Sequence, residues 1–169
     1  GVVFSCRRLL PRRNIVVPPK QSREKERKIE GAYVKDPQNG SHEWVVSFDL
    51  NSLYPHIIMQ YNMSPETIVN DKCYEANVDD LLQKMKYDIP DGTCMTGTGQ
   101  YFDKSKKGIV PEIIQNLYDE RSVFKKQMLQ AEQKKADGDK SYSIERKIVT
   151  LNNQQMAVKI LMNSLYGAL

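Results

Sequence analysis

The chain holds 169 residues, 40% of them hydrophobic and 27% charged, with a formal net charge of +4. Such values are ordinary for a soluble globular protein and allow one domain with a real core, or pieces of two. The apolar runs are far too short for a membrane span and no secretory signal pattern is present, while so small a charge permits a polyanionic partner without requiring one.

The first stretch is basic. Arg7, Arg8, Arg12 and Arg13 flank Pro11, and Pro18-Pro19 and the charged run from Lys20 to Lys28 follow. Like charge among prolines predicts an exposed connector, which fits a solvated linker or contact with a nucleic-acid backbone. Glu30 to Pro37 reads as a short strand ended by a turn, and Pro37-Gln38-Asn39-Gly40 as that turn. Trp44 to Phe48 is an unbroken run of β-formers, predicting a buried strand that leaves the sheet at Asp49. By itself an Asp there is more often a cap or turn residue than a metal ligand. Asn51 and Ser52 break the pattern, and Pro55 is placed to open a helix through Ile57, Ile58 and Tyr61. An acid at a strand end, followed by a turn into a helix N-terminus, sets a carboxylate beside backbone N–H groups. That pairing suits a metal-bound polyphosphate.

Asn62 to Thr67 predicts a loop with Ser64 as a cap. Asn70 to Asp91 is mixed and acidic, with a short amphipathic piece around Val78, Leu81, Leu82 and Met85, and carries no assigned chemistry. Thr96-Gly97-Thr98-Gly99 matches neither the Walker spacing nor a dinucleotide fingerprint. A β-hairpin fits better, with Tyr101-Phe102 as one strand, Asp103 to Gly108 as the turn and Ile109-Val110 as the return. Pro111 then opens a long helix with Glu112 in its first turn, running to about Ala136 and stopping at Asp137-Gly138-Asp139. A second helix starts near Ser143 and buries Ile144, Ile148, Leu151, Val158, Met162 and Leu165. So short a polar turn makes the two helices antiparallel. Cys6, Cys73 and Cys94 are odd in number and form no Cys-x-x-Cys pair, predicting free thiols in a reducing compartment.

Spacing alone yields some geometry. Arg121 and Lys125 share a face of the first long helix, and Lys159, Asn163 and Tyr166 share a face of the second. Folding about Gly138 sets Lys159 opposite Tyr118, with Arg121 offset by about one turn, or about 5 Å. If both faces point one way, Arg121, Lys125 and Lys159 converge on a site able to bind a triphosphate. Solvated surface cations fit the same spacing, and for Tyr166 a core aromatic with a bonded hydroxyl fits as well.

Two long strings carry a resemblance. Asp49-Leu50-Asn51-Ser52-Leu53-Tyr54-Pro55-x-Ile57-Ile58 resembles the first polymerase motif of the family B DNA polymerases. Lys159-x-x-x-Asn163-Ser164-Leu165-Tyr166-Gly167 resembles their second. The likeness runs from about Glu30 to Leu169 and leans towards the T-even-like bacteriophage replicative enzymes. In those, a string similar to Gly31-Ala32-Tyr33-Val34-Lys35-Asp36-Pro37 lies beside the template strand, which implies DNA proximity for Gly31, Ala32 and Tyr33. The implied fold is α+β: part of a polymerase palm, with an antiparallel sheet and the motif helix, plus an antiparallel two-helix fingers hairpin. The implied division is 1–30 as a basic linker, 31–110 as palm, 111–167 as fingers and 168–169 as a truncated return to the palm.

The resemblance also implies roles. Asp49 would ligate two Mg²⁺ ions, and the Leu50 carbonyl one of them. The amides of Ser52, Leu53 and Tyr54 would hold triphosphate oxygens together with Arg121, Lys125 and Lys159, and Lys159 would either clamp charge or protonate pyrophosphate. Tyr54 would be the steric gate against a 2′-OH. Asn163, Tyr166 and Gly167 would border the nascent base pair and template. The implied reaction is attack of a primer 3′-OH on a deoxynucleoside triphosphate. Primer-template DNA, a sliding clamp and replisome proteins would be partners, in the cytoplasm of a host cell and with no membrane involved.

Two departures stand out. His56 occupies a position where the family commonly has Ser, and the second catalytic motif, Asp-Thr-Asp, is absent, as are the editing carboxylates and the thumb. The opening Gly1-Val2-Val3-Phe4 and the end just past Tyr166-Gly167 read as an internal piece of a longer polypeptide, expected not to polymerise alone. A protein-primed family B polymerase and a non-catalytic nucleic-acid scaffold with Asp49 as a mere cap are the alternatives.

Overall fold

The computed structural model describes residues 34–73, 76 and 78–167. The basic stretch 1–30, Gly31, Ala32, Tyr33, Cys6 and residues 168–169 lie outside the described residues. In chain order the elements are α1 (Leu53–Gln60), β1 (Ile68–Lys72), α2 (Val78–Leu82), β2 (Thr93–Met95), β3 (Gln100–Asp103), α3 (Ile109–Ala136) and α4 (Tyr142–Gly167). The class is α+β, with a small antiparallel sheet ordered β1-β3-β2 beside a long antiparallel helix pair. Among the described residues no helix is long and apolar enough to cross a membrane.

The helix pair forms as its periodicity predicts. Ile109, Val110, Ile113, Ile114 and Leu117 of α3 meet Val158, Met162 and Leu165 of α4, with Ile58 and Met59 of α1 packed against them. Ile114 and Met162 are fully buried at this seam. The chain reverses at Asp137-Gly138, where Gly138 takes φ 114°, a left-handed conformation that a side chain would strain. Lys135 Nζ meets Glu145 at 2.8 Å across the turn.

Several expected boundaries move. Residues 44–48 form no strand: Trp44 has φ 58°, which breaks an extended run, and Trp44 and Phe48 are 96% and 92% exposed. No described segment pairs with this run, and a strand without a ladder partner leaves its backbone groups unbonded. The helix at the motif begins at Leu53 and not at Pro55, so Pro55 lies inside the first turn, where its missing N–H costs nothing. The residues 34–37 likewise form no strand.

The hairpin exists but is displaced. β2 and β3 pair as Thr93 with Asp103, Cys94 with Phe102 and Met95 with Tyr101, so the turn is Thr96 to Gly99. Gly99 is required there: it takes φ 80°, and a Cβ would sit 2.1 Å from the Cys73 carbonyl oxygen. Ile109 and Val110 therefore open a helix where a return strand was expected, and Pro111 falls at the third helical position. Their β-branched side chains lose to burial in the helical core, a tertiary override of local preference. On β3, the Ser105 amide and hydroxyl hold Asp103's carboxyl below its ordinary pKa, while burial pushes the Cys94 thiol up.

One loop joins the two helical units. Asn62 ends α1 in the left-handed region at φ 52°, with Met63 N donating to Ile58 O at 3.0 Å and Asn62 N to Met59 O at 3.4 Å. That is a Schellman closure with Asn in the position usually held by Gly. Asn62 Nδ2 then donates to Asp103 O at 2.7 Å and Lys106 O at 2.8 Å, and its Oδ1 accepts from Gly108 N at 2.8 Å. Ile109 N donates to Glu66 Oε1 at 2.5 Å and Val110 N to Ser64 Oγ at 3.3 Å. So Ser64 does cap a helix, but the distant α3 and not one that follows it. The opening amides of α3 thus find oxygen acceptors, and an acid lies at its positive end.

Candidate nucleotide-binding site

The turn from Asp49 to Ser52 feeds straight into α1. Ser52 takes φ 55° and ψ 42°, a left-handed conformation that costs a serine about 1 kcal/mol. His56 holds it from inside the helix, with its amide 3.2 Å and its Nδ1 2.8 Å from the Ser52 carbonyl oxygen. The His56 ring also stands edge-on to Tyr118 of α3, centroids 5.0 Å apart. Position 56 thus links the motif turn to the helix pair, a contact the sequence reading did not foresee. Ser52 makes no side-chain cap, and Pro55 has no N–H, so α1 opens on the backbone N–H groups of Leu53 and Tyr54.

Opposite that turn, the helix pair brings two of the three expected cations, Arg121 and Lys159, to one cavity. A cavity of about 540 Å³ is lined by Phe48, Asp49, Leu50, Ser52, Leu53, Tyr54 and Pro55 on one side, and by Arg121, Lys159, Met162, Asn163 and Tyr166 on the other. Its size falls in the range of ordinary ligand pockets. A smaller hollow of about 120 Å³ lies on the other side of Arg121, lined by Asn51, Ser52, Tyr118, Arg121, Ser122 and Lys125. Arg121 and Ser52 border both spaces, so Lys125 joins the site from the side and does not line the main cavity. Gly167, the last residue of α4, lines neither of these two spaces.

Two aromatics form part of the wall. Tyr54 and Tyr166 stack with centroids 5.6 Å apart and planes at 17°, and the Tyr166 hydroxyl donates to Asn163 Oδ1 at 2.6 Å. Such a stack contributes about 0.5–1.5 kcal/mol beyond area burial. Tyr166 is half-buried, with one ring face in the site and its hydroxyl bonded.

Sequence reasoning passed over Gln155. It lies in the buried stripe of α4 with Leu151, Val158 and Met162, and its Oε1 accepts from Arg121 Nε at 3.3 Å. Arg121 and Gln155 are equidistant in sequence from Gly138, the pairing that folding about that glycine requires. A polar residue inside an apolar stripe was the available signal.

For a metal, the donor set is partial. The Asp49 carboxylate and the Leu50 carbonyl are the hard oxygen donors that Mg²⁺ takes, alongside substrate phosphates and water. Among the described residues no group of three or more His, Cys, Asp or Glu could hold an ion alone. The residues therefore fit a cation that arrives with a triphosphate, held on one protein carboxylate.

Comparison with known proteins gives the family. Residues 3–169 match the sequence pattern of DNA polymerase family B. The chain is 36% identical over 160 residues to DNA polymerase 1 of Pyrococcus abyssi and 38% identical over 159 to the DNA polymerase of Desulfurococcus sp. (strain Tok), covering 92% of this chain and 17% of each relative. It is 35% identical over 164 residues to the DNA polymerase of Paramecium bursaria Chlorella virus NY2A, covering 92% of this chain and 16% of that one. In the solved structure of the family B DNA polymerase from the archaeon Pyrobaculum calidifontis, the match covers 69% of this chain and 12% of that one, at 25% identity and a TM-score of 0.45. The chain thus spans less than a fifth of the length of these relatives, and it belongs to DNA polymerase family B.

Proposed function

We propose that this chain supplies the nucleotide-binding half of a template-directed DNA polymerase that adds deoxynucleoside triphosphates to a primer 3′-OH. The observation that carries the reading is the convergence of Asp49, Arg121 and Lys159 on one cavity that also borders the start of α1. A triphosphate needs distributed positive charge and N–H donors, and a cation bound to it needs an oxygen ligand. Each requirement has a residue.

Arg121 donates a planar fork to phosphate oxygens, Lys159 adds compact charge, and Lys125 reaches the phosphates from the side hollow. The amides of Ser52, Leu53 and Tyr54 take further oxygens. The Tyr54 ring lies under the sugar of the bound nucleotide and leaves no room for a 2′-OH. Asn163 and Tyr166 border the nascent base pair, with Gly167 just beyond; Gly31, Ala32 and Tyr33 approach the template. Asp49 and the Leu50 carbonyl orient the cation side of the bound nucleotide. In the complete enzyme two Mg²⁺ ions would stabilise the attacking and leaving oxygens, and of their ligands this chain supplies Asp49 and the Leu50 carbonyl. Lys159 then neutralises charge building on pyrophosphate.

The rest of the reading follows the motifs. Residues 1–30 serve as a linker, 31–110 as palm, 111–167 as fingers and 168–169 as the return towards the palm. The enzyme is of the replicative phage type, at work in the host cytoplasm with a sliding clamp and replisome proteins. With one catalytic carboxylate, this chain alone does not extend a primer, and extension above an Asp49→Ala blank would refute that.

The test is nucleotide binding. Mg²⁺–dATP is expected to bind more tightly than dATP without Mg²⁺. Arg121→Ala and Lys159→Ala each weaken binding by about 1.5–3 kcal/mol, roughly ten- to a hundredfold, the range for hydrogen bonds to charged groups. A non-catalytic scaffold would show salt-dependent DNA binding and indifference to both changes.

A further inference from the structure

Gln155 is the single polar member of the buried set on α4, which otherwise comprises Ile144, Leu151, Val158, Met162 and Leu165. Both ends of its amide are engaged. Oε1 accepts from Arg121 Nε at 3.3 Å, and Nε2 donates to Asn152 Oδ1 at 3.0 Å. Arginine carries donors only, so the oxygen must face Arg121, and the Asn152 acceptor requires the nitrogen on the other side. One amide orientation satisfies both neighbours. The bond occupies the Nε–H of Arg121 and leaves the terminal guanidinium nitrogens available to the cavity that Arg121 lines.

We infer that Gln155 is a positioning residue for nucleotide binding: from within the apolar seam, it fixes the guanidinium of Arg121 in the orientation that meets a triphosphate. The inference rests on the nucleotide-binding reading above and adds a residue that touches no substrate itself. A long cationic side chain on an exposed helix face samples many rotamers, and a ligand must stop that motion to use it. Here the restriction is made in advance by a buried acceptor. Asn152, exposed on the next turn of α4, sets the acceptor's direction in its turn.

The experiment uses the polymerase polypeptide that carries this chain and measures Kd for Mg²⁺–dNTP, with KM and kcat for single-nucleotide addition. Gln155→Met keeps the side-chain length and removes the acceptor. It is expected to raise Kd and KM about tenfold, in the range for groups that orient a ligand-contacting residue, with kcat changed much less. In an Arg121→Ala background the same substitution should change nothing further, because there is no guanidinium left to orient. A merely structural role would weaken binding equally in both backgrounds, and that result overturns the inference. Asn152→Ala, at an exposed position, leaves the seam intact and should give a smaller shift in the same direction. Should Gln155→Met not fold, a shift from Asn152→Ala that vanishes without Arg121 supports the inference, and no shift overturns it. Indifference to Arg121→Ala itself would overturn the nucleotide-binding reading along with it. Indifference to Gln155→Met in a protein that responds to Arg121→Ala overturns this inference alone.

Discussion

Asp49→Ala should lower nucleotide incorporation by a thousandfold or more in a polymerase polypeptide containing this chain, at least the loss seen when a preorganised charge-stabilising donor is removed. The reason is geometric. Among the described residues Asp49 is the only carboxylate lining the main cavity, so no described neighbour replaces it. Binding should show a crossover that a misfolded variant would not reproduce. With Mg²⁺ present the variant binds dNTP more weakly, because the cation has lost its protein ligand. Without Mg²⁺ it binds dNTP more tightly, because a negative charge has left the cavity that Arg121 and Lys159 line. Asp49→Asn should behave the same way while preserving shape. Magnesium-dependent binding that survives both substitutions would reduce Asp49 to a turn residue.

The largest effect on stability is expected at Asn62. Its side chain is 7% exposed and makes three bonds to the loop before α3, while its backbone closes α1 in the left-handed region. Asn62→Ala removes those bonds, strands the buried Gly108 amide and two part-buried carbonyls, and puts a Cβ residue without a compensating side chain at φ 52°. Each lost bond carries about 1 kcal/mol, and buried groups left unpaired add to it, so a total of about 3–5 kcal/mol is expected. Asn62→Gly relieves the backbone and should recover a fraction of that, about 1 kcal/mol. Asn62→Asp keeps the shape but turns an oxygen towards the Asp103 and Lys106 carbonyls, and should do no better than Ala. Denaturant unfolding of the variants measures all three. A loss under 1 kcal/mol for Asn62→Ala would mean that the loop holds without its hub.

The helix pair was readable because its signals are local. Periodicity set the seam, Asp137-Gly138 set the reversal, and the positions of Arg121 and Lys159 followed. What escaped depended on distant partners. The run from Trp44 to Phe48 has the composition of a buried strand, but composition cannot provide the neighbour a ladder needs. Ile109 and Val110 look like a strand until the acceptors at Asn62, Ser64 and Glu66, more than forty positions earlier, are brought to the helix start. Gln155 went unnoticed, and the contacts of His56 were not foreseen, for a related reason. Each owes its importance to a side chain on α3, Arg121 in one case and Tyr118 in the other.

The tether between Asn62 and Gly108 has a mechanical corollary. Among the described residues it holds the base of the long rods, and a swing of the pair about that base would be amplified along their length. α3 has 28 residues, a rod about 42 Å long, and Arg121 lies about 18 Å from its base. A tilt of about 10° would move the guanidinium by about 3 Å, a hydrogen bond's length, while the far end sweeps about 7 Å, by the same helical rise. A rotation that small would carry Arg121 into or out of reach of the cavity it lines, and a label at the tip would report it with more than twice the amplitude.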